Sequence, residues 1–297
     1  MAKSFATTTS RSTEPTGRPI DQTAGRITLI TVDSHAHIFE RNLPIVHSPR
    51  YLPGHDATLE EYLGYLDANG ISHGVLVQPS FLGSDNSYLL AALGRKPQRL
   101  RGVAVVDPEV SEDELSRMAD SGVVGIRLNL IGQPLPDMRA DPWPRLLRML
   151  TALNFHVEIH RQAGDLAQLL DPLLSASGVN VVVDHFGRPD PALGVDDPGF
   201  RYLLSCAASR RVWVKVAASY RNGPDGRGAA IALAAMPLLR KTFGLERLVW
   251  GSDWPHSQFE ATESIQAAKA RLEEWLPSSA DQAIVLGETP VHLFHFA

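Results

Sequence analysis

Val32-Asp33-Ser34-His35-Ala36-His37 opens with an apolar residue and ends in a His-x-His pair. Side chains two residues apart on a β-strand project to the same face. His35 and His37 therefore converge at the strand's C-terminal tip, where two imidazoles suit a metal ion or a polarised carbonyl. Outward from this segment the same kind of unit recurs. Short β-branched runs fall at 28–35, 73–79, 100–106, 123–129, 155–160, 180–186, 212–217 and 247–253, with amphipathic stretches near 58–69, 86–95, 111–121, 143–153, 164–176, 198–210, 228–241 and 260–276. Strand followed by helix eight times predicts a closed parallel α/β barrel, a (β/α)8 TIM barrel filling residues 27–297 as one domain. Thr58 with Glu61, and Ser111 with Glu114, have the spacing of capping boxes at helix starts. A doubly wound open sheet is the alternative, but no Gly-x-Gly-x-x-Gly turn follows the first strand, so nucleotide binding has no support.

Composition narrows the partners. The 297 residues carry a formal net charge of −5 without a run of Lys or Arg, which argues against nucleic acid. No apolar run approaches the ~20 residues of a membrane helix, so no membrane partner is expected. The single cysteine, Cys206, allows no disulfide within the chain and reads as a small core residue, which fits a reducing cytoplasm. Residues 1–26 are rich in Ser, Thr and Arg with few large apolar side chains, and they read as a flexible tail. Association between copies of the chain is left open.

A barrel places its chemistry at the C-terminal ends of its strands. There the chain offers His35 and His37 on strand 1, Gln78 and Ser80 on strand 2, Arg127 and Asn129 on strand 4, and His160 with Arg161 on strand 5. Strand 6 ends in Asp184, His185 and Arg188, strand 7 in Ser219 with Arg221 beyond, and strand 8 in Ser252, Asp253 and His256. His35, His37, His160 and Asp253 form a candidate ligand set for one Zn²⁺ with an open position. Asp253 can also serve as general base, and His185 can bond a substrate oxygen or carry a proton. Of the arginines Arg127, Arg161, Arg188 and Arg221, two are expected to face the pocket and hold an anionic substrate; Arg127 and Arg221 are the choices. The long connection 38–57 reads as a lid bringing Tyr51 to the substrate, with His47 and His55 as exposed loop residues. Glu158 shares the phase of His160 and has Lys215 as a prospective partner in a buried ion pair, structural or catalytic.

These pieces together resemble the amidohydrolase superfamily, in its branch of lactonases related to 2-pyrone-4,6-dicarboxylate hydrolase and 4-sulfomuconolactone hydrolase. The resemblance rests on Val32–His37, His160, Val183-Asp184-His185-Phe186-Gly187-Arg188-Pro189, Val214-Lys215-Val216 and Trp250-Gly251-Ser252-Asp253-Trp254-Pro255-His256, over about residues 28–296. It implies a distorted barrel, hydrolysis of a cyclic ester in aromatic-compound catabolism, and Asp253 as the group that deprotonates the attacking water. It also places His35, His37, His185, Ser80, Arg127 and Arg221 around substrate or metal. The chain departs from the metal-independent pyrone hydrolases, which have Tyr where His160 stands and a second arginine where Gln133 or its neighbours stand. One Zn²⁺, and a substrate other than pyrone dicarboxylate itself, follow as expectations. The expected reaction is ring opening of a muconolactone-like anion bearing carboxylate or sulfonate. A metal-dependent decarboxylase and an amide or imide hydrolase of the same superfamily are the rival activities.

Overall fold

The computed structural model describes residues 1–2, 30–176 and 178–297. From residue 3 onward the tail expected over 1–26 lies outside the described residues, as does the start of the first predicted strand. Eight strands follow in spatial order: β1 (Val32–Ala36), β2 (His73–Val77), β3 (Leu100–Ala104), β4 (Val123–Asn129), β5 (His156–His160), β6 (Asn180–Val183), β7 (Val212–Lys215) and β8 (Leu248–Val249). Every neighbouring pair from β1–β2 to β7–β8 is parallel, and helices return the chain between strands. This is the (β/α)8 barrel that the strand–helix repeat predicts. The spacing at Thr58 acts as expected: its hydroxyl caps the helix Leu59–Ala68 (α1) while Glu61 returns to the Thr58 amide.

Several strands end earlier than their apolar runs. Strand 6 reads as 180–186 in sequence but leaves the ladder after Val183, because His185 and Phe186 adopt left-handed φ values of 49° and 60°. Strand 8 reads as 247–253 but pairs only at Leu248 and Val249. At such tips burial continues after the ladder has stopped, so hydrophobicity overstates strand length. Two short helices, Ser279–Ala283 and Thr289–Leu293, complete the chain beyond the last expected helix.

The barrel closes at the seam between β8 and β1 through a few contacts. Ser34 N donates to Trp250 O at 3.0 Å, Asp253 N to His35 O at 2.8 Å and His37 N to Trp254 O at 2.7 Å. The fully buried Asp33 clasps the seam, accepting from the Ser252 amide at 2.7 Å, the Ser252 hydroxyl at 2.6 Å and the Tyr62 hydroxyl of α1 at 3.2 Å. Burial pushes its carboxyl up to about 6, with these hydrogen bonds opposing the shift. The pairing of β1 with β2 slips by one residue between Asp33 and Ala36. Such a bulge re-aims side chains; Asp33 turns outward to α1 while His35 and His37 turn inward.

Inside the barrel, Val32, Val75, Val77, Val103, Val124, Val182, Trp213 and Val249 form a floor, sealed from beneath by Leu293, Phe294 and Phe296. A second, larger apolar layer lies between strands and helices. Above the floor the interior is polar. Gly251 admits the close approach at the seam, since a Cβ there would sit 2.5 Å from the Cβ of His35. Gly251→Ala is expected to lower stability by about 1–3 kcal/mol, the usual range for overpacking, seen as a fall in denaturation midpoint in urea. An unchanged midpoint would show that the seam tolerates separation.

Candidate active site

The first polar layer is an ion cluster shut off from water. Lys215 Nζ lies 2.5 Å from Glu158 Oε2 and 3.7 Å from Asp184 Oδ1, and all three side chains are fully buried. Arg127 donates to Asp184 Oδ2 through NH2 at 2.7 Å and lies 3.2 Å from Glu158 Oε1 through Nε. Burial and the neighbouring Asp184 push Glu158 up to about 7 against the pull of Lys215 and Arg127. Burial opposes ionisation of Asp184 too, but Arg127, His35 and Lys215 outweigh it and hold that carboxyl well below its usual range. The Glu158–Lys215 pair expected from sequence is therefore part of a four-membered network, with Asp184 as the member that sequence reasoning left without a role.

The imidazoles stand on this layer. His37 Nδ1 sits 2.7 Å from Val77 O, a bond that requires its proton there and leaves the Nε2 lone pair facing the barrel axis. His35 Nε2 is 3.3 Å from His37 Nε2, and its Nδ1 is 2.9 Å from Lys215 Nζ. The same Nδ1 lies 3.5 Å from Asp184 Oδ1 and 3.6 Å from Glu158 Oε1. His35 thus has two serviceable tautomers. If Lys215 donates to Nδ1, the Nε2 proton points at His37; if Nδ1 donates to a carboxylate, Nε2 offers a lone pair beside that of His37. Burial holds His35 well below its ordinary value and His37 down at about 4, with Lys215 and Arg127 respectively adding to the shift.

Asp253 enters from the closing seam with φ at 62°. Its Oδ2 accepts from Arg221 NH2 at 2.7 Å and Nε at 2.8 Å, and from the Tyr220 hydroxyl at 2.5 Å. Its Oδ1 is buried without a hydrogen-bond partner and faces three imidazole nitrogens: His35 Nε2 at 3.6 Å, His37 Nε2 at 3.9 Å and His185 Nε2 at 3.9 Å. Burial opposes ionisation of Asp253, yet Arg221 and the histidines hold it well below the carboxylate range. Both ring nitrogens of His185 are likewise without a partner, and burial pushes its pKa down to about 3, so it stands as a neutral imidazole.

His35, His37 and Asp253 bring one donor atom each within 4.8 Å of one another. Two neutral imidazoles and an orphaned carboxylate oxygen are a donor set that fits a metal ion with open positions. His160, the fourth expected ligand, is placed differently. Its Nδ1 lies 3.3 Å from Arg127 Nη2 and its Nε2 3.2 Å from Arg188 Nη1; a neutral imidazole has one acceptor nitrogen and accepts from only one of them. The ring lies outside the His35, His37 and Asp253 group and lines the pocket wall.

The pocket above is lined by His37, Arg50, Tyr51, Ser80, Arg127, His160, His185, Arg221 and Asp253, among others. Tyr51 reaches it from the lid, whose ends are joined by paired backbone bonds between Phe39 and Ala57, and its hydroxyl donates to Glu260. His256 does not line the cavity: at φ 62° the chain turns its buried ring back toward Tyr220, and Ser257 and Gln258 supply the lining instead. Arg161 is taken up by Asp165 and by the carbonyls of Leu130 and Gln133. Tyr220 is a member that sequence reasoning missed, as is Arg50, an arginine in a loop with no periodic pattern to flag it.

The family model described as Amidohydrolase matches residues 32–296. The chain belongs to the amidohydrolase family. This amidohydrolase is 32% identical to 2-pyrone-4,6-dicarboxylate hydrolase of Comamonas testosteroni over 235 residues, 76% of each chain. It is 28% identical to 4-sulfomuconolactone hydrolase of Hydrogenophaga intermedia over 273 residues, 88% of each. Among solved structures, a probable 2-pyrone-4,6-dicarboxylic acid hydrolase of Acinetobacter baumannii with citric acid bound superposes with a TM-score of 0.87 at 38% identity, covering 90% of this chain and 99% of that one.

The buried ion cluster makes a specific demand on this amidohydrolase. Removing one partner of a buried pair leaves an uncompensated charge, typically a loss of about 3–5 kcal/mol. Lys215→Met is expected to cost that much in urea denaturation, and adding Glu158→Gln should restore most of it. Equal instability of the single and double variants would mean that packing of the lysine stem, not charge balance, is what matters.

Proposed function

We propose that this amidohydrolase is a lactone hydrolase that opens an anionic, carboxylate- or sulfonate-bearing lactone by attack of an activated water. The observation that carries the reading is Asp253 Oδ1, a buried carboxylate oxygen with no partner, aimed at three neutral imidazoles. A water in that space meets a proton acceptor at Asp253 Oδ1 and, at His185, an imidazole whose N–H has no other partner. The relatives named above as hydrolases of a pyrone dicarboxylate and of a sulfomuconolactone support an anionic cyclic ester as substrate.

In this reading Asp253 Oδ1 takes the proton of the attacking water, while Arg221 and Tyr220 fix the carboxylate through Oδ2 so that only Oδ1 is free to do so. His185, neutral and unpartnered, donates to the oxygen that gains charge as the tetrahedral intermediate forms. The ester carbonyl is polarised from the His35–His37 side. His35, His37 and Asp253 would hold a single Zn²⁺, which when bound supplies Lewis-acid polarisation of that carbonyl. Arg127 and Arg221 sit where a substrate anion passes; each is already bonded to a carboxylate, so each shares its guanidinium between the protein and the substrate. Ser80 and Tyr51 border the entry.

Asp253→Asn keeps an oxygen for Arg221 but cannot accept the proton, and ring opening followed by absorbance is expected to fall about 10²–10⁴-fold with an unchanged circular dichroism spectrum. Near-normal turnover in that variant would remove the mechanism. Protein purified without chelator is expected to carry about one equivalent of zinc, lost together with activity on chelation. Full activity in metal-free protein would leave the His35 tautomer that donates from Nε2 as the polarising group.

A further inference from the structure

His256 has no part in the reaction described so far. It is 5% exposed, lies outside the lined cavity, and holds its Nδ1 3.4 Å from the hydroxyl oxygen of Tyr220. It shares a turn with Asp253, because His256 N donates to Asp253 O at 2.7 Å. The Tyr220 ring beside it is clamped. Phe259 packs on that ring with centroids 4.7 Å apart, and the guanidinium groups of Arg221 and Arg271 lie 5.4 and 5.8 Å from its centre. Phe259 N is bonded to His256 O at 2.7 Å, and Arg271 is held in turn by Glu263 at 2.7 and 2.9 Å.

With the ring fixed, the hydroxyl proton of Tyr220 still has a choice of acceptor. Asp253 Oδ2 is 2.5 Å away and His256 Nδ1 3.4 Å. Burial and the charge of Asp253 hold the phenol well above its ordinary value, and burial lowers His256, so both groups are uncharged and each carries one proton. A neutral imidazole has one donor nitrogen and one acceptor nitrogen. With Nδ1 as the acceptor, His256 would compete with Asp253 for the single proton that Tyr220 has to give. With the proton on Nδ1, the ring donates to the phenol oxygen and the competition ends. The chain then runs one way, from His256 through Tyr220 to Asp253 Oδ2, and hydrogen bonds aligned like this polarise one another. The carboxylate charge at its end selects that direction, since bonds to an ionised acceptor are the stronger ones.

We propose that His256 is a positioning residue whose Nδ1 proton aims the Tyr220 hydroxyl at Asp253, keeping Oδ2 occupied and Oδ1 turned to the imidazoles. It touches neither substrate nor reacting atoms, and its effect passes through Tyr220 alone. Arg221 and Tyr220 together hold Oδ2, so the carboxylate does not exchange its two oxygens by rotation. The effect on rate rests on the reading of Asp253 as the base of a lactone hydrolase, whereas the hydrogen-bond chain depends on no particular reaction.

Two polar substitutions separate this chain from the filling of space. The side-chain nitrogen of Asn stands where Nδ1 stands, bonded directly to Cγ, whereas that of Gln lies one bond further out. His256→Asn is expected to keep the kcat of ring opening within about twofold of wild type, and His256→Gln to lower it about three- to tenfold with KM unchanged, the range of one neutral hydrogen bond. In a Tyr220→Phe background both substitutions should be silent, because the group they act through is gone. NMR of protein carrying carbon-13 at tyrosine Cζ reads the chain without turnover. The Tyr220 signal, assigned by its absence in Tyr220→Phe, should keep its position in His256→Asn and move in His256→Gln. Equal loss of rate in the two variants, a further loss in the Tyr220→Phe background, a displaced Tyr220 signal in His256→Asn or an unmoved one in His256→Gln would each overturn the proposal. Signals that behave as expected in a protein that opens no lactone would uphold the chain and remove the assigned reaction.

Discussion

Everything at the mouth of this barrel depends on how the sheet is closed. β8 pairs for only two residues, and the ring is completed by three backbone hydrogen bonds and by a buried carboxylate, Asp33, that gathers the Ser252 amide, the Ser252 hydroxyl and the Tyr62 hydroxyl. A full ladder at this seam would hold residues 250–253 extended and alternate their side chains in and out. The looser closure lets Asp253 take a left-handed conformation and present Oδ1 to imidazoles from β1 and from the turn after β6. Gly251 is what allows the two backbones to come this close.

The second constraint is electrostatic layering. A floor of valines and aromatic rings excludes water from below, so the charges directly above it must satisfy one another. Glu158, Asp184, Lys215 and Arg127 do so, and their interactions fix the histidines above them. Lys215 and the two carboxylates compete for one nitrogen of His35, and Val77 fixes the tautomer of His37. Whether His35 joins His37 with a lone pair for a metal or donates a hydrogen bond from Nε2 turns on one proton held by the layer beneath.

Much of this was legible in the sequence because periodicity reports burial. The repeat of β-branched runs and amphipathic helices carries the barrel, and the barrel assigns His35, His37, Arg127, His160, His185 and Asp253 to one rim before any coordinate is seen. Direction was less legible. His160 and His256 lie near the rim as expected, but the first stands between the guanidinium groups of Arg127 and Arg188, and a left-handed turn carries the second behind Tyr220. The choice among arginines had the same limit: sequence shows which lie at strand tips, not which already have a carboxylate. Arg50 stood in a loop without pattern, and Asp33 was read only as part of the His-x-His segment, because a one-residue bulge decides that it turns away from the histidines.

The sealed floor has a consequence for traffic. Among the described residues, Leu293, Phe294 and Phe296 pack beneath the valines, and the lined cavity lies at the strand tips. There the segment that runs from Phe39 to Ala57 contributes Arg50 and Tyr51 to the wall that a ligand passes. Ring opening of a lactone adds a carboxylate and lengthens the molecule, so the product is more highly charged than what came in and has to back out past the same guanidinium groups that admitted it. Substrate and product are thus mutually exclusive tenants, and the grip that favours capture also slows departure.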